Sequence, residues 1–199
     1  MKLGKIEKWL VKSEVHSQRV ASRADRLMEF VKVREDYKFL EVGCGAGAVS
    51  KYIEQKFLMD VTGIDVDPEL IEIAQKGIGS SQNIRFQVAD ATELPFEDQQ
   101  FDVILSIGVM HHIKTWKNAL LEIRRVLKPY GYFIYSDLIY HDWFAKMGKM
   151  FRHIHGITSF SELNTFFADN NFATIHCELR DSLLWAWYDT VCLSTRNKS

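Results

Sequence analysis

Five residues in one short stretch, Glu41, Gly43, Gly45, Gly47 and Asp65, have the types and spacing to hold a small polar ligand. Glycines at alternate positions let backbone approach a ligand with no Cβ in the way. They also leave the first-turn N–H groups of a following helix free to face an anion. An acidic residue about 20 positions further on, here Asp65, stands where such units hold ribose hydroxyls. The pattern is that of a unit binding an adenosine-containing ligand. Further along, Asp90, Ser106 and the pair His111-His112 add a carboxylate, a hydroxyl and two imidazoles. A neutral imidazole, with an ordinary pKa of about 6.5, can take a proton from a reacting group.

Periodicity gives the elements that must position these residues. Phe39-Leu40 running into Glu41-Val42 reads as a buried strand, and Val61 to Ile64 as a second one ending at Asp65. Val49, Tyr52, Ile53 and Phe57 give the helix between them an apolar stripe. Asp67-Pro68-Glu69 opens the next helix with Asp67 as N-cap, which leaves Asp65 to face the ligand; Ile71, Ala74 and Ile78 carry that helix towards Gly79. Ile84 to Val88 alternates as a third strand, and Phe101 to Ile107 is apolar enough to be buried on both faces. Trp116, Ala119, Leu120, Ile123 and Leu127 mark a packing helix, and Tyr132 to Asp137 a fifth strand. A helix opening at Ser161 and stopping at Asn170-Asn171 precedes a strand pair, Phe172 to Leu179 and Leu183 to Thr195, with Arg180 to Ser182 between. Before all of these, Val20, Ala24, Leu27, Met28 and Val31 recur at helical spacing. The alternation predicts an α/β fold: a doubly wound, mostly parallel seven-stranded Rossmann-like sheet with an antiparallel final strand and an N-terminal helical segment. Ligands of such sheets sit at the carboxyl ends of the strands.

The glycines alone are ambiguous, because Gly43 to Ala48 fits G-x-G-x-x-[GA] as well as G-x-G-x-G. Glu41 discriminates. A carboxylate there repels a diphosphate and attracts an ammonium. S-adenosylmethionine (SAM) carries an ammonium, a carboxylate and a sulfonium but no phosphate. Here the sequence resembles the class I SAM-dependent methyltransferases, whose first motif runs [DE]-x-G-x-G-x-G. Leu94-Pro95-Phe96 with Phe101-Asp102 resembles that family's LPF…FD signature, and Lys128-Pro129-Tyr130-Gly131 its LKPGG turn with Tyr130 in place of a glycine. The resemblance covers about residues 37–137.

It implies SAM as cofactor and S-adenosylhomocysteine as product. By the same resemblance Glu41 would hold the amino group, and Gly43, Gly45, Ala46 and Gly47 the methionine part. Asp65 with Val66 would hold the ribose, Asp90-Ala91 the adenine edge, and Ser106 would lie near the methyl. His111 and His112 are the candidate catalytic residues, with a structural or orienting role as the alternative. Residues 1–34 would form a helical cap bringing His16 and Arg19 towards the ligand, and residues 138–171 the substrate-recognition insert.

At 199 residues the chain suits one domain, and a formal net charge of -1 calls for no nucleic acid. Cys44, Cys177 and Cys192 are three and far apart, which fits neither a disulfide framework nor a zinc site; no metal is expected and a reducing cytoplasm is. No apolar run is long enough to cross a membrane and no signal peptide is visible. Lys2, Lys5, Lys8 and Lys12 form a stripe that suits either solvent or peripheral contact with anionic lipid. Trp143, Phe144, Met147, Met150 and Phe151, mixed with basic residues, suit a lipophilic or aromatic small-molecule acceptor or a helix covering the sheet edge. The absence of an [ND]-P-P-[FY] pattern disfavours DNA adenine and glutamine methylation. Two other classes compete: a non-catalytic SAM-binding or regulatory protein, and an NAD-dependent oxidoreductase, which Glu41 opposes. The residues set neither the methylated atom nor an oligomeric state.

Overall fold

Apolar runs that alternate between strand and helix periods can be buried in few ways, and the chain takes the one with helices on both faces of a central sheet. The computed structural model describes residues 14–145, 158–182 and 185–195. In chain order the elements are α1 (Glu14–Met28), β1 (Lys38–Val42), α2 (Ala48–Phe57), β2 (Asp60–Asp65), α3 (Pro68–Lys76) and β3 (Ile84–Val88). There follow β4 (Phe101–Ile107), one 3₁₀ turn (Met110–His112), α4 (Trp116–Val126), β5 (Leu127–Tyr140), α5 (Phe160–Asp169), β6 (Phe172–Asp181) and β7 (Trp185–Ser194). The sheet has seven strands in the order β3-β2-β1-β4-β5-β7-β6. β1 to β5 are parallel neighbours, and β7 runs antiparallel between β5 and β6. The expected doubly wound sheet with its antiparallel last strand is therefore present.

Each face of the sheet carries an apolar layer. One gathers Leu40, Ile104 and Phe133 with α4 and α5; the other gathers Phe39, Val61 and Val103 with α1, α2 and α3. Ala24, Leu27, Met28 and Val31 pack into the second layer, so the helical spacing of the N-terminal segment reflects burial. The basic stripe at Lys2 to Lys12, and Met147 to Phe151 of the aromatic stretch, lie outside the described residues. Among the described residues no helix is long and apolar enough to cross a membrane.

Several boundaries differ from the sequence reading for local reasons. α3 stops at Lys76 because Gly77 takes the C-cap position, its N–H on the Ala74 and Gln75 carbonyls, so Ile78 and Gly79 lie beyond it. α5 begins at Phe160, one residue before Ser161, with Ser159 as N-cap, and ends where Asn171 adopts a left-handed φ of 60°. Arg180 and Asp181 belong to β6, paired with Trp187 and Ala186, and do not form a separate turn. Lys128 to Gly131 lies within the long strand β5, where Tyr130 adopts a left-handed φ of 63°, the conformation a glycine would take without strain.

Gly47 shows why one of the loop glycines is needed. It starts α2 at a φ of 78°, and a Cβ there would meet the Phe86 ring at 2.5 Å. The same ring fills the space over Gly63, where an added Cβ would lie 2.6 Å from it, so Phe86 packs against both glycines. Gly79 also has a positive φ, of 66°, but an added Cβ would find nothing within 4 Å. Gly47→Ala is therefore expected to cost about 2–3 kcal/mol in urea unfolding, against about 1 kcal/mol for Gly79→Ala, which suffers backbone strain alone.

Candidate active site

The sheet reverses its winding between β1 and β4, which are neighbours with β2 on one side and β5 on the other. At the carboxyl ends of these strands lies one cavity of about 840 Å³. Its wall includes Glu41, Gly43, Gly45, Ala46, Asp65, Val66, Asp90 and Ala91 from the sequence reading. His111 and His112 line it as well, together with His16 and Arg19 of α1.

Gly43 N and Cys44 N both donate to the Ile64 carbonyl at 2.8 Å, which pins the loop after β1 to the end of β2. Asp65 then fixes its middle. One carboxylate oxygen accepts from Gly45 N at 2.9 Å and the other from Asp67 N at 2.9 Å. Asp67 caps α3 through a bond from Glu69 N at 3.0 Å, as its place before Pro68 predicts. No side chain caps the first turn of α2. A Cβ on Gly43 would run into Val109 of the loop after β4, so this glycine lets the two loops close on each other.

Glu41 is 5 % exposed and accepts a 2.5 Å bond from the Ser50 hydroxyl. Burial pushes its pKa up to about 7, with the Asp65 charge adding to the rise and the Ser50 bonds opposing it. A carboxyl in that state suits a cationic ligand, whose arrival restores the partner that burial removed. Cys44, beside it, is no nucleophile: burial, Glu41 and Asp65 push its thiol well above the ordinary range. Asp90 accepts both the backbone N–H and the hydroxyl of Thr92, at 2.8 and 2.7 Å, on one oxygen, and these bonds hold its pKa down. The turn role and the place on the cavity wall coexist.

Two residues of the sequence reading do not line the cavity. Gly47 is occupied by Phe86, as described above. Ser106 lies inside β4 at 1 % exposure with its hydroxyl unpaired, and the wall next to it is made by Ile107, Gly108 and Val109. The reason is the strand period: Ser106 points into the protein, and the chain reaches the cavity with its neighbour Ile107, the last residue of β4.

The structure also supplies a residue the sequence reading missed. Asp137, fully buried near the carboxyl end of β5, bonds His111 Nδ1 at 2.5 Å through one oxygen. Its other oxygen accepts Val109 N at 3.0 Å, Met110 N at 2.6 Å and His111 N at 3.3 Å. A carboxylate accepts, so Nδ1 is the donor and Nε2 is left as the basic nitrogen. His112 stacks against His111 at 3.8 Å between ring centres. The only hint in the sequence was an acidic residue ending a strand, which has no fixed spacing to the histidines.

Of residues 138–171, the described parts do not line the cavity: α5 buries Leu163, Phe166 and Phe167, and Tyr140 stacks on Phe144 at 5.5 Å. Among the described residues no group of three or more His, Cys, Asp or Glu side chains is placed to hold a metal ion.

A doubly wound sheet with a glycine loop, a buried acid before it and a second acid ending the next strand is an arrangement suited to a nucleoside ligand that carries a cation. Comparison with known proteins narrows this. Residues 40–135 match the family described as methyltransferase domain. The sterol 4-C-methyltransferase strm-1 of Caenorhabditis elegans is 34% identical over 126 residues, 62% of this chain and 37% of that protein. The demethylmenaquinone methyltransferase of Staphylococcus aureus strain MRSA252 is 36% identical over 110 residues, 53% of this chain and 45% of that one. The solved structure of the YcgJ protein of Bacillus subtilis shares the fold at a TM-score of 0.75 and 19% identity, covering 88% of this chain and 99% of that one. Residues 40–135 thus carry a methyltransferase domain, and its likeness is to the class I SAM-dependent methyltransferases, a family whose cofactor is SAM. The chain spans less than half the length of the first curated relatives it matches.

Glu41 makes a pH dependence accessible. Its pKa rises from 4.5 in the unfolded chain to about 7 in the fold, so the folded state holds the extra proton between those values. This contribution to stability is complete below pH 4.5 and is lost as pH rises through 7, by about 3 kcal/mol in all. In urea unfolding without ligand, Glu41→Gln is expected to remove that decline and to be the more stable protein at pH 8.

Proposed function

We propose that the chain transfers a methyl group from SAM to a small-molecule acceptor bound in the same cavity. The reading is carried by one observation: a single cavity of about 840 Å³ holds both the glycine loop with Glu41 and Asp65 and the oriented imidazole of His111. The residues present fit the cofactor, since Glu41 offers a buried carboxylate to an ammonium, Gly43 keeps the loop free of Cβ, and Asp65 offers oxygens to ribose hydroxyls. When bound, SAM supplies a methyl carbon already activated by its sulfonium.

The protein's share is then positioning, which can lower a barrier by roughly 7–11 kcal/mol when reactants are held in attack geometry. Glu41 and Asp65 fix the donor at the ends of β1 and β2, and Asp90 and Ala91 flank the adenine end. An acceptor held beside the donor would offer a lone pair to that methyl carbon, and the sulfur would keep the electron pair of the broken carbon–sulfur bond. His111 takes the acceptor's proton on Nε2, and Asp137 holds the ring in the tautomer that allows it. Val20, Ile107, Val109 and Ile113 give the acceptor region apolar walls that suit a lipophilic or aromatic molecule.

Isothermal titration with S-adenosylhomocysteine tests the donor half: wild type is expected to bind, and Asp65→Ala to bind at least about tenfold more weakly. Undiminished binding by that variant would overturn the assignment. For the acceptor half, release of S-adenosylhomocysteine is followed across pools of small lipophilic acceptors. His111→Asn is expected to lower turnover by about 10²–10⁴ while leaving S-adenosylhomocysteine affinity within about threefold. Equal turnover in that variant would reduce His111 to a structural residue.

A further inference from the structure

Charges in the cavity are unevenly placed. Glu41, Asp65 and Asp90 stand at or just beyond the ends of β1, β2 and β3, whereas Arg19 and Arg23 of α1 and Lys114 after the 3₁₀ turn supply positive charge to the same wall. Within the described residues none of these three cations makes a hydrogen bond.

Arg23 is the most constrained of them. It reaches towards Asp189 of β7, but that carboxylate, 1 % exposed, is already engaged. One of its oxygens accepts the Ser136 hydroxyl at 2.5 Å and Trp187 Nε1 at 3.1 Å. The other accepts Arg26 at 2.8 Å and Arg180 at 3.3 Å. Arg23 Nε is left 4.0 Å away, beyond hydrogen-bond reach. Glu178 adds a second carboxylate, but Arg180 and Arg26 meet it at 3.1 and 3.7 Å. Three guanidinium groups thus share two carboxylates, and the one that makes no hydrogen bond is the one facing the cavity. Burial, then Arg180 and Arg26, pull the pKa of Arg23 down against the opposing pull of Asp189.

The guanidinium lies over the Trp187 ring, 4.3 Å from its centre, with the side chain 23% exposed. Stacking holds the group flat and leaves its N–H fork for a planar anion. Trp187 pairs with Leu138, near the end of β5 where Asp137 holds His111. From β1 to β7 the sheet steps across three strand intervals, about 14 Å in all. The pair therefore lies away from the acids that suit the donor. SAM has a single carboxylate, fewer than the three cations on this wall that make no hydrogen bond among the described residues.

We propose that Arg23, stacked on Trp187, receives an anionic group of the methyl acceptor, a carboxylate or a phosphate, so that the acceptor is an amphiphilic anion. Its apolar part lies along Val20, Ile107 and Ile113. This rests on the methyl-transfer reading above.

The full chain is first titrated with S-adenosylhomocysteine, and the saturated protein is then titrated with matched pairs: octanoate against octanamide, and 4-phenylbutyrate against 4-phenylbutanamide. Wild type is expected to prefer each anion by about tenfold or more. Arg23→Met, which keeps the stem over Trp187, is expected to lose that preference with S-adenosylhomocysteine affinity unchanged, and Arg23→Lys to keep part of it. Equal binding of acid and amide by wild type, or an anion preference that survives Arg23→Met, overturns the proposal. So does an Arg23→Met protein that loses S-adenosylhomocysteine affinity but still binds 5′-methylthioadenosine, since Arg23 then serves the donor's own carboxylate. Failure of wild type to bind S-adenosylhomocysteine overturns the methyl-transfer reading itself, whereas binding without anion preference overturns this inference alone.

Discussion

A parallel sheet ends in loops whose backbone N–H groups have no strand to pair with, and the whole site depends on how those donors are satisfied. Two carboxylates do it. Asp65, ending β2, takes the N–H of Gly45 in the neighbouring loop and of Asp67 in its own. Asp137, near the end of β5, takes those of Val109, Met110 and His111 in the loop after β4. In each case a strand's acid organises the loop of the strand beside it. The first arrangement shapes the glycine loop and the second sets a histidine. Losing either carboxylate would leave several buried donors orphaned at once, a larger perturbation than the loss of one ligand contact.

Much of this architecture was visible in the residues. Period-two and period-3.6 patterns placed the strands and helices, and the Asp67-Pro68 cap separated a capping acid from one on the cavity wall. Local chemistry of that kind acts over a few positions, which is why sequence exposes it. Ser106 and Gly47 stand off the cavity wall, since motif membership says which residues cluster, not which way each side chain points on a strand or what packs behind a glycine. Asp137, Arg23 and Trp187 were missed for a different reason. Trp187 reaches the cavity only because β7 lies antiparallel against β5, and Arg23 only because α1 packs beside it. Neither relation leaves a spacing in the chain.

The two ends of the cavity also differ in how their charges are held. At the β1 end a lone buried acid is kept near its titration point by the protein around it. Near β7 a group of arginines gathers around a carboxylate with too few acceptors to serve them all. Both are incomplete electrostatic arrangements, and incompleteness is what distinguishes a binding surface from a settled core ion pair.

The position of β7 has a consequence for how the molecule is made. β1 to β4 come from neighbouring stretches of chain joined by crossovers, and all four lie within residues 38–107. β6 meets the sheet only through β7, and β7 is the later of the two to be synthesised. Until then β5 presents an open strand edge, the kind of surface that invites pairing with another chain. The strands that carry Glu41 and Asp65 thus precede in the chain the strand that carries Trp187, and β5 keeps an open edge until β7 is made.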